Sequence, residues 1–248
     1  MELVLEKAGD FQKSIEAIAV LIDEAEFLVG ENGIFLKATD PSQISMVSFS
    51  LEKKAFKKFD AKASTKIGLD LDYLRQVMSR AKPDDHLTLE LADNDNRLHV
   101  CFKGQSSRRF QIPLIDISSS ELPNPKIEFD AIVKMRAVVL QDALKDASLI
   151  SSHVSLGIVK DKFFVKADSS KGNLYNETEK DKKNLIELKA SKEVISMFPL
   201  DYLQDMLKAA SPDTELELKL KGNAPVELSY KIGEACITYL LAPRIESE

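Results

Sequence analysis

Phe11, Ile15, Ile18 and Ile22 fall at helical spacing and draw one apolar stripe along an otherwise polar stretch. Alternation then takes over. EFLVG, GIFLKAT and SMVSFSL each turn every second side chain to one face, as half-buried strands do. The ENG turn joins the first two as a hairpin. A second helical stripe follows at Leu71, Leu74, Met78 and Ala81. Asp72 sits in its first turn, where the helix dipole favours an anion, and Pro83 follows its last turn, where no helix continues. HLTLEL, RLHVCF and RRFQIPL are predicted as three further strands.

The pattern then starts again. Residues 71–91, LDYLRQVMSRAKPDDHLTLEL, return at 200–220 as LDYLQDMLKAASPDTELELKL, with ten of twenty-one positions identical. The same offset of 129 residues aligns GIFLKA with KFFVKA and FQKSI with LQDAL. Solenoid repeats run about 20 to 50 residues, so this period marks a duplicated domain. The second copy carries Leu140, Leu144 and Ala147 as its first helical stripe. It continues with HVSLGIV, KFFVKAD and NLIELKA, a helix with Asp201 and Pro212, and the strands ELELKL, PVELSYKI and ACITYLL. The predicted class is α+β: two tandem copies, each with two helices against a mainly antiparallel sheet with one wet face. Domain 1 is expected at 1–116 and domain 2 at 127–248. Residues 117–126 are expected as an extended surface connector, since Ser118, Ser119, Ser120, Pro123 and Pro125 suit neither a helix nor a central strand.

Composition narrows the function classes. A chain that is 44% hydrophobic and 30% charged reads as water-soluble and globular, and no apolar run is long enough to cross a bilayer. MELVLEKAGDF lacks the basic start and apolar core of a signal peptide, so the cytosol is expected. Cys101 and Cys236 lie within strand patterns and read as small core hydrophobes. The net charge of −6 argues against a generic basic nucleic-acid binder. It leaves room for local basic patches, because placement matters more than the sum.

Catalytic equipment is missing from the pattern. His86, His99 and His153 stand at no spacing that a zinc site uses. The nine glycines form no phosphate loop, and no GxSxG elbow occurs. DNDN at 93–96 lacks the glycine and closing glutamate of a calcium loop and reads as a turn between two strands. The expectation is a binding protein with no metal, no cofactor and no chemistry of its own.

The repeated segment, KATDPSQISMV at 37–47, PLID at 113–116 and the tail YLLAPRIE at 239–246 together resemble the DNA sliding clamps. The similarity is to the proliferating cell nuclear antigen family in its archaeal form, and it spans essentially the whole chain. It implies a trimeric ring in which helices line the pore and antiparallel sheets form the outside. Such a ring encircles duplex DNA without reading sequence and tethers DNA polymerase, clamp loader, flap endonuclease and DNA ligase. An archaeal clamp would work in the cytoplasm at the nucleoid, a eukaryotic one in the nucleus. One subunit of an obligate heterotrimeric ring is the alternative within the family. An enzyme on the duplicated α+β fold is the alternative outside it.

The resemblance also assigns residues. Lys13, Lys145 and Lys208 match basic positions of the family's DNA-facing helices, and Arg75, Arg80 and Lys82 are expected to join them. Gln76, Ser79 and Ala19 stand where the family carries lysines, which implies either a looser hold on DNA or contacts drawn from loop lysines. The sheet edge RRFQIPL is expected to meet NLYNETE at 173–179 of the next subunit, burying Phe110, Ile112 and Leu174 between them. A pocket for a short client motif (a glutamine, an aliphatic residue and two aromatics) is expected beside the connector. Its walls would be Ile44, Met46, Leu122, Pro125, Pro225, Leu240, Ala242 and Pro243, with Gln43 at the polar anchor. Thr39 and Asn124 replace apolar family residues and make that pocket less greasy.

Overall fold

Each half of the chain folds into the same succession of elements. The computed structural model describes residues 1–61, 64–92, 95–117, 122, 125–181 and 183–244. The first half runs β1 (Glu2–Leu5), α1 (Ala8–Ala19), β2 (Glu24–Gly30), β3 (Gly33–Thr39), β4 (Ser45–Glu52), β5 (Lys58–Asp60), β6 (Thr65–Asp70), α2 (Leu71–Met78), β7 (His86–Glu90), β8 (Arg97–Lys103) and β9 (Ser107–Pro113). The second half repeats it as β10 (Ala131–Arg136), α3 (Ala137–Ser148), β11 (His153–Val159), β12 (Lys162–Ser169), β13 (Gly172–Thr178), β14 (Leu185–Ala190), β15 (Val194–Pro199), α4 (Leu200–Leu207), β16 (Glu215–Leu220), β17 (Val226–Ile232) and β18 (Ala235–Leu241).

The duplication reaches single hydrogen bonds. Ala8 N–H donates to Asp85 C=O at 3.0 Å, and 129 residues later Ala137 N–H donates to Thr214 C=O at 2.8 Å. Leu71 N–H to Asp23 C=O (2.8 Å) is likewise copied by Leu200 N–H to Ser152 C=O (2.9 Å). Strand register follows suit: Phe27 pairs Ile67 in the first half and Leu156 pairs Ser196 in the second. These bonds satisfy helix-start donors that have no partner within their own helix, so they survive sequence drift at the side chains.

Two sheets, not one, back the helices of each half. β5-β1-β7-β8-β9 and β14-β10-β16-β17-β18 are the matching five-strand runs, while β4-β3-β2-β6 and β13-β12-β11-β15 are the matching four-strand runs. α1 packs on α2 and α3 on α4. Phe11, Ile15 and Ile18 are buried on α1, as are Leu140, Ala143, Leu144 and Ala147 on α3. α1 stops at Ala19, so Ile22 is buried from the turn beyond the helix rather than from its face. The Asp70 carboxylate caps α2 by accepting from Tyr73 N–H at 2.9 Å. By contact, the chain divides into one unit of Met1–Pro41, Val47–Pro123 and Lys231–Ile237 and another of Ser42–Met46, Asn124–Tyr230 and Thr238–Glu248.

Hydrophobic patterning missed β1, β5, β6, β10, β13 and β15, and for three of them the physical reason is visible. β6 contains Gly68, and the connector-bound segment lies so close that a side chain there would strike the Ile115 carbonyl. β15 runs into Pro199, which is already the N-cap of α4. β13 ends the order of its sheet, and Leu174 and Tyr175 are its only large apolar residues. On the second half's five-strand run, Lys134 bridges Glu187 (3.5 Å) and Glu217 (3.4 Å), and Lys219 bridges Glu217 (3.5 Å) and Glu227 (2.7 Å). A face laced by charges in this way is the wet one.

Candidate functional site

The surface expected to receive clients forms where β4 begins and β18 ends. β4 alternates strictly: Val47, Phe49 and Leu51 enter the core, and Met46 lies half-buried on the opposite face. The loop before it leaves Gln43 exposed at φ 58°, in the left-handed region that non-glycine residues seldom occupy. Strain of this kind persists where the surroundings over-determine it, and binding surfaces collect it. β18 alternates too. Tyr239 and Leu241 point inward, so Leu240 is half-buried on the outer side, followed by half-buried Ala242 and Pro243.

Ile44 C=O accepts from Ala242 N–H at 2.8 Å, which brings the β4 loop and the tail together. Below them the Tyr230 hydroxyl donates to Met206 C=O (2.8 Å) and meets the Tyr239 hydroxyl at 3.2 Å. Burial pushes the Tyr230 hydroxyl up to about 12 and raises that of Tyr239 as well, so both stay neutral and act purely as struts. Half-buried Pro225 begins the approach to β17, after a turn pinned by Ser196, whose hydroxyl donates to Lys221 C=O (2.9 Å) and accepts from Asn223 N–H (2.8 Å). Of the connector, Leu122 is half-buried and Pro125 exposed. Ser118, Ser119, Ser120, Pro123 and Asn124 lie outside the described residues.

The charged helix positions divide into two kinds. Lys13, Arg75 and Lys145 project from helix faces and are exposed, and Lys208 is the C-cap of α4. Arg75 pairs with Asp72 (2.7 Å), Lys145 with Asp142 (3.0 Å) and Lys208 with Asp205 (2.5 Å), each three residues back on its own helix. Arg80 and Lys82 are not on a helix, because α2 ends at Met78. They occupy the turn that Asp85 organises: its carboxylate accepts from Lys82 N–H (2.7 Å) and pairs with Arg108, whose guanidinium also donates to Arg80 C=O.

Both expected edge strands, β9 and β13, end the order of their sheets. Phe110 is half-buried on the inner face of β9, edge-on to Phe102 at 5.9 Å. Leu174 is half-buried on β13. Ile112 requires a correction. It is 0% exposed in the single chain, filled in by its own core, and has no area left to bury against a neighbour. Sequence reading missed Leu149 at the C-cap of α3, which leaves 74% of its surface in water. It also missed His153 and Arg244, 91 residues apart and in contact. Neither leaves a signal in the local pattern, since the exposure of Leu149 and a contact across 91 residues are both set by the fold. Cys101 and Cys236 are half-buried rather than core, with Cys101 Sγ 3.6 Å from Ser107 Oγ. Asp95, the described aspartate of the DNDN stretch, is a turn residue that accepts from Arg97 N–H (3.0 Å) and lies 2.8 Å from His99 Nε2. No helix among the described residues is long and apolar enough to cross a membrane.

Comparison with known proteins agrees with this geometry along the whole chain. The model of the proliferating cell nuclear antigen N-terminal domain matches residues 1–121, and that of the C-terminal domain matches 124–245. A protein named DNA polymerase sliding clamp from Methanococcus vannielii is 38% identical over 241 residues, 96% of each chain. Its namesake from Pyrococcus furiosus is 32% identical over 246 residues, 99% of this chain and 98% of that one. Among solved structures, proliferating cell nuclear antigen from Thermococcus kodakaraensis superposes with a TM-score of 0.94 at 26% identity, covering 98% of this chain and 99% of that one. The A. fulgidus protein, solved with the C-terminal region of FEN-1 bound, superposes at 0.89 and 29% identity over 100% and 99% of the two chains. With both of its domains matched in order and relatives of this identity covering its length, the chain belongs to the proliferating cell nuclear antigen family.

Proposed function

We propose that this chain is a DNA polymerase sliding clamp, a non-catalytic ring of three subunits that encircles duplex DNA and tethers replication and repair proteins. The observation that carries the reading is the end-to-end match of a duplicated fold to proteins of that name. The physical logic is topological. A closed ring stays on DNA without gripping it, and a tethered polymerase rebinds intramolecularly at high effective concentration. Exposed ion pairs such as Lys145–Asp142 are worth only about 0 to 1 kcal/mol, so each lysine exchanges its aspartate for a passing phosphate at little cost. Contact of this sort is non-specific and suits sliding.

Ring closure supplies the missing neighbours of β9 and β13. An unpaired edge is an aggregation hazard, and pairing β9 of one protomer with β13 of the next satisfies both while bringing Phe110 toward Leu174. The bound FEN-1 segment on the A. fulgidus protein supports a flap endonuclease as one client. Polymerase, ligase and clamp loader are proposed to use the same pocket of Gln43, Ile44, Met46, Leu122, Pro125, Pro225, Leu240, Ala242 and Pro243. The work takes place on chromosomal DNA in the cytoplasm.

Native mass spectrometry of the purified chain tests assembly, and extension of a primed circular template tests tethering. A trimer that lengthens polymerase products is expected. A chain that forms no ring, alone or with sister subunits, overturns the proposal. For the pocket, Leu122→Ala and Pro243→Ala should each weaken a client peptide by about 1 to 2 kcal/mol, roughly five- to thirtyfold, with the trimer mass unchanged. Unaltered affinity in calorimetry rules the pocket out.

A further inference from the structure

Among the described residues, the tail that walls the proposed client pocket is held at two points. Ala242 N–H donates to Ile44 C=O, and Arg244 N–H donates to Met197 C=O at 2.7 Å. The second bond has a twin 129 residues earlier, from Ile115 N–H to Gly68 C=O at 3.0 Å. In the first copy the side chain nearest to Gly68 is apolar: a Cβ there would meet the Ile115 carbonyl first and then Ile117 Cγ1 at 3.4 Å. The second copy backs the same bond with a polar contact. Arg244 Nη1 lies 3.0 Å from His153 Nδ1 and 3.2 Å from Nε2. Arginine offers only donors and a permanent positive charge, so the contact is favourable only while the imidazole is neutral.

We propose that Arg244 and His153 are positioning residues forming a proton-released clasp, which docks the tail while His153 is neutral and frees it when His153 is protonated. The clasp itself stands on the geometry above; its effect on binding rests on the client-pocket reading. Among the described residues the groups facing the ring are few. Arg244 comes from the tail and Asp201 from the first turn of α4. The Ser152 hydroxyl is 3.0 Å from Nδ1, and uncharged Pro199 is the partner across on β15. On β12 the nearest charges in sequence register, Lys166 and Asp168, pair with each other at 2.7 Å.

Burial, and then the Arg244 charge, hold the His153 imidazole below its ordinary value of 6.5, with Asp201 pulling the other way. The sign follows. A docked tail sets the Arg244 charge against the ring and makes it resist protons, and a released tail removes that charge. Docking therefore weakens as pH falls through the imidazole range, with proton uptake on release.

Hydrogen exchange of the intact protein between pH 7.5 and 5, corrected for intrinsic rates, reads the clasp directly. The Arg244 amide should lose protection on acidification in the wild type and keep it in His153→Gln, which retains a neutral acceptor. Equal protection across the range in the wild type, or the same loss in His153→Gln, overturns the clasp. In parallel, calorimetry uses a synthetic histidine-free peptide carrying glutamine, an aliphatic residue and two aromatics. Its affinity should fall several-fold from pH 7.5 to 5 on the wild type and hold steady on His153→Gln. A peptide that fails to bind even at pH 7.5 overturns the pocket reading, and the exchange result then decides the clasp alone. His99→Gln, which leaves the tail untouched, should behave as wild type in both measurements; if it abolishes the pH response, the clasp is wrong.

Discussion

Asp85→Ala should shift the urea midpoint of the clamp sharply downward, removing about 3 to 5 kcal/mol of stability. Asp85 is 2% exposed and does three things at once. Its carboxylate neutralises Arg108 and caps Lys82 N–H, and its carbonyl receives Ala8 N–H at the start of α1. Truncation leaves a half-buried guanidinium, its side chain 24% exposed, without its counter-charge, when Arg108 Nε already lacks a partner among the described residues. An unpaired buried charge costs far more than a well-made pair contributes. The second copy shows the remedy. At the equivalent positions it has Thr214, whose hydroxyl meets Ser211 Oγ at 2.8 Å, and fully buried Ile237. The double variant Asp85→Thr with Arg108→Ile should therefore recover to within about 1.5 kcal/mol of wild type. All variants need comparison at one protein concentration, since assembly adds to apparent stability. A mild single variant, or a double variant no better than the single, would refute this account of the turn.

Leu149→Asp should dissolve the ring and leave the subunit intact. The side chain stands at the C-cap of α3, beside the edge strand β13: the neighbouring Ile150 side chain lies 4.0 Å from where a Cβ on Gly172, the first residue of β13, would sit, and α3 packs against β13. Being 74% exposed in the single chain, it contributes little to the subunit's own fold. Burying a leucine against a neighbour is worth about 1.5 to 3 kcal/mol, so each interface should weaken by roughly 10- to 100-fold. A closed trimer contains three such interfaces. Sedimentation should find monomers at micromolar concentration, with circular dichroism unchanged and long polymerase products lost. A trimer of undiminished stability would show that Leu149 is an ordinary exposed apolar residue, of which every surface has some.

What could be read from the sequence was what repeats or alternates. The doubled segment at 71–91 and 200–220 announced the tandem fold, because both copies kept their core leucines and the turn proline. β4 and β18 were legible from strict alternation, and with them the half-buried flanks of Met46 and Leu240. Contacts between side chains far apart in the chain left no such trace. Asp85 and Arg108 are separated by 23 positions and His153 and Arg244 by 91, and no local periodicity encodes either meeting. Ile112 was misplaced for a related reason. Alternation on an edge strand says which residues share a face, and Phe110 and Ile112 do, but not how far the subunit's own core extends beneath them.

In the DNA-facing role that the family resemblance implies for Arg75, Lys145 and Lys208, the aspartates that accompany them bear on how the ring travels. A phosphate that captures one of these cations strands an acid beside it, and the stranded acid repels the strand it has just exposed. Wells along the duplex are therefore shallow and few condensed counterions are released. Friction on the track should be low, and one-dimensional diffusion should change little as ionic strength rises.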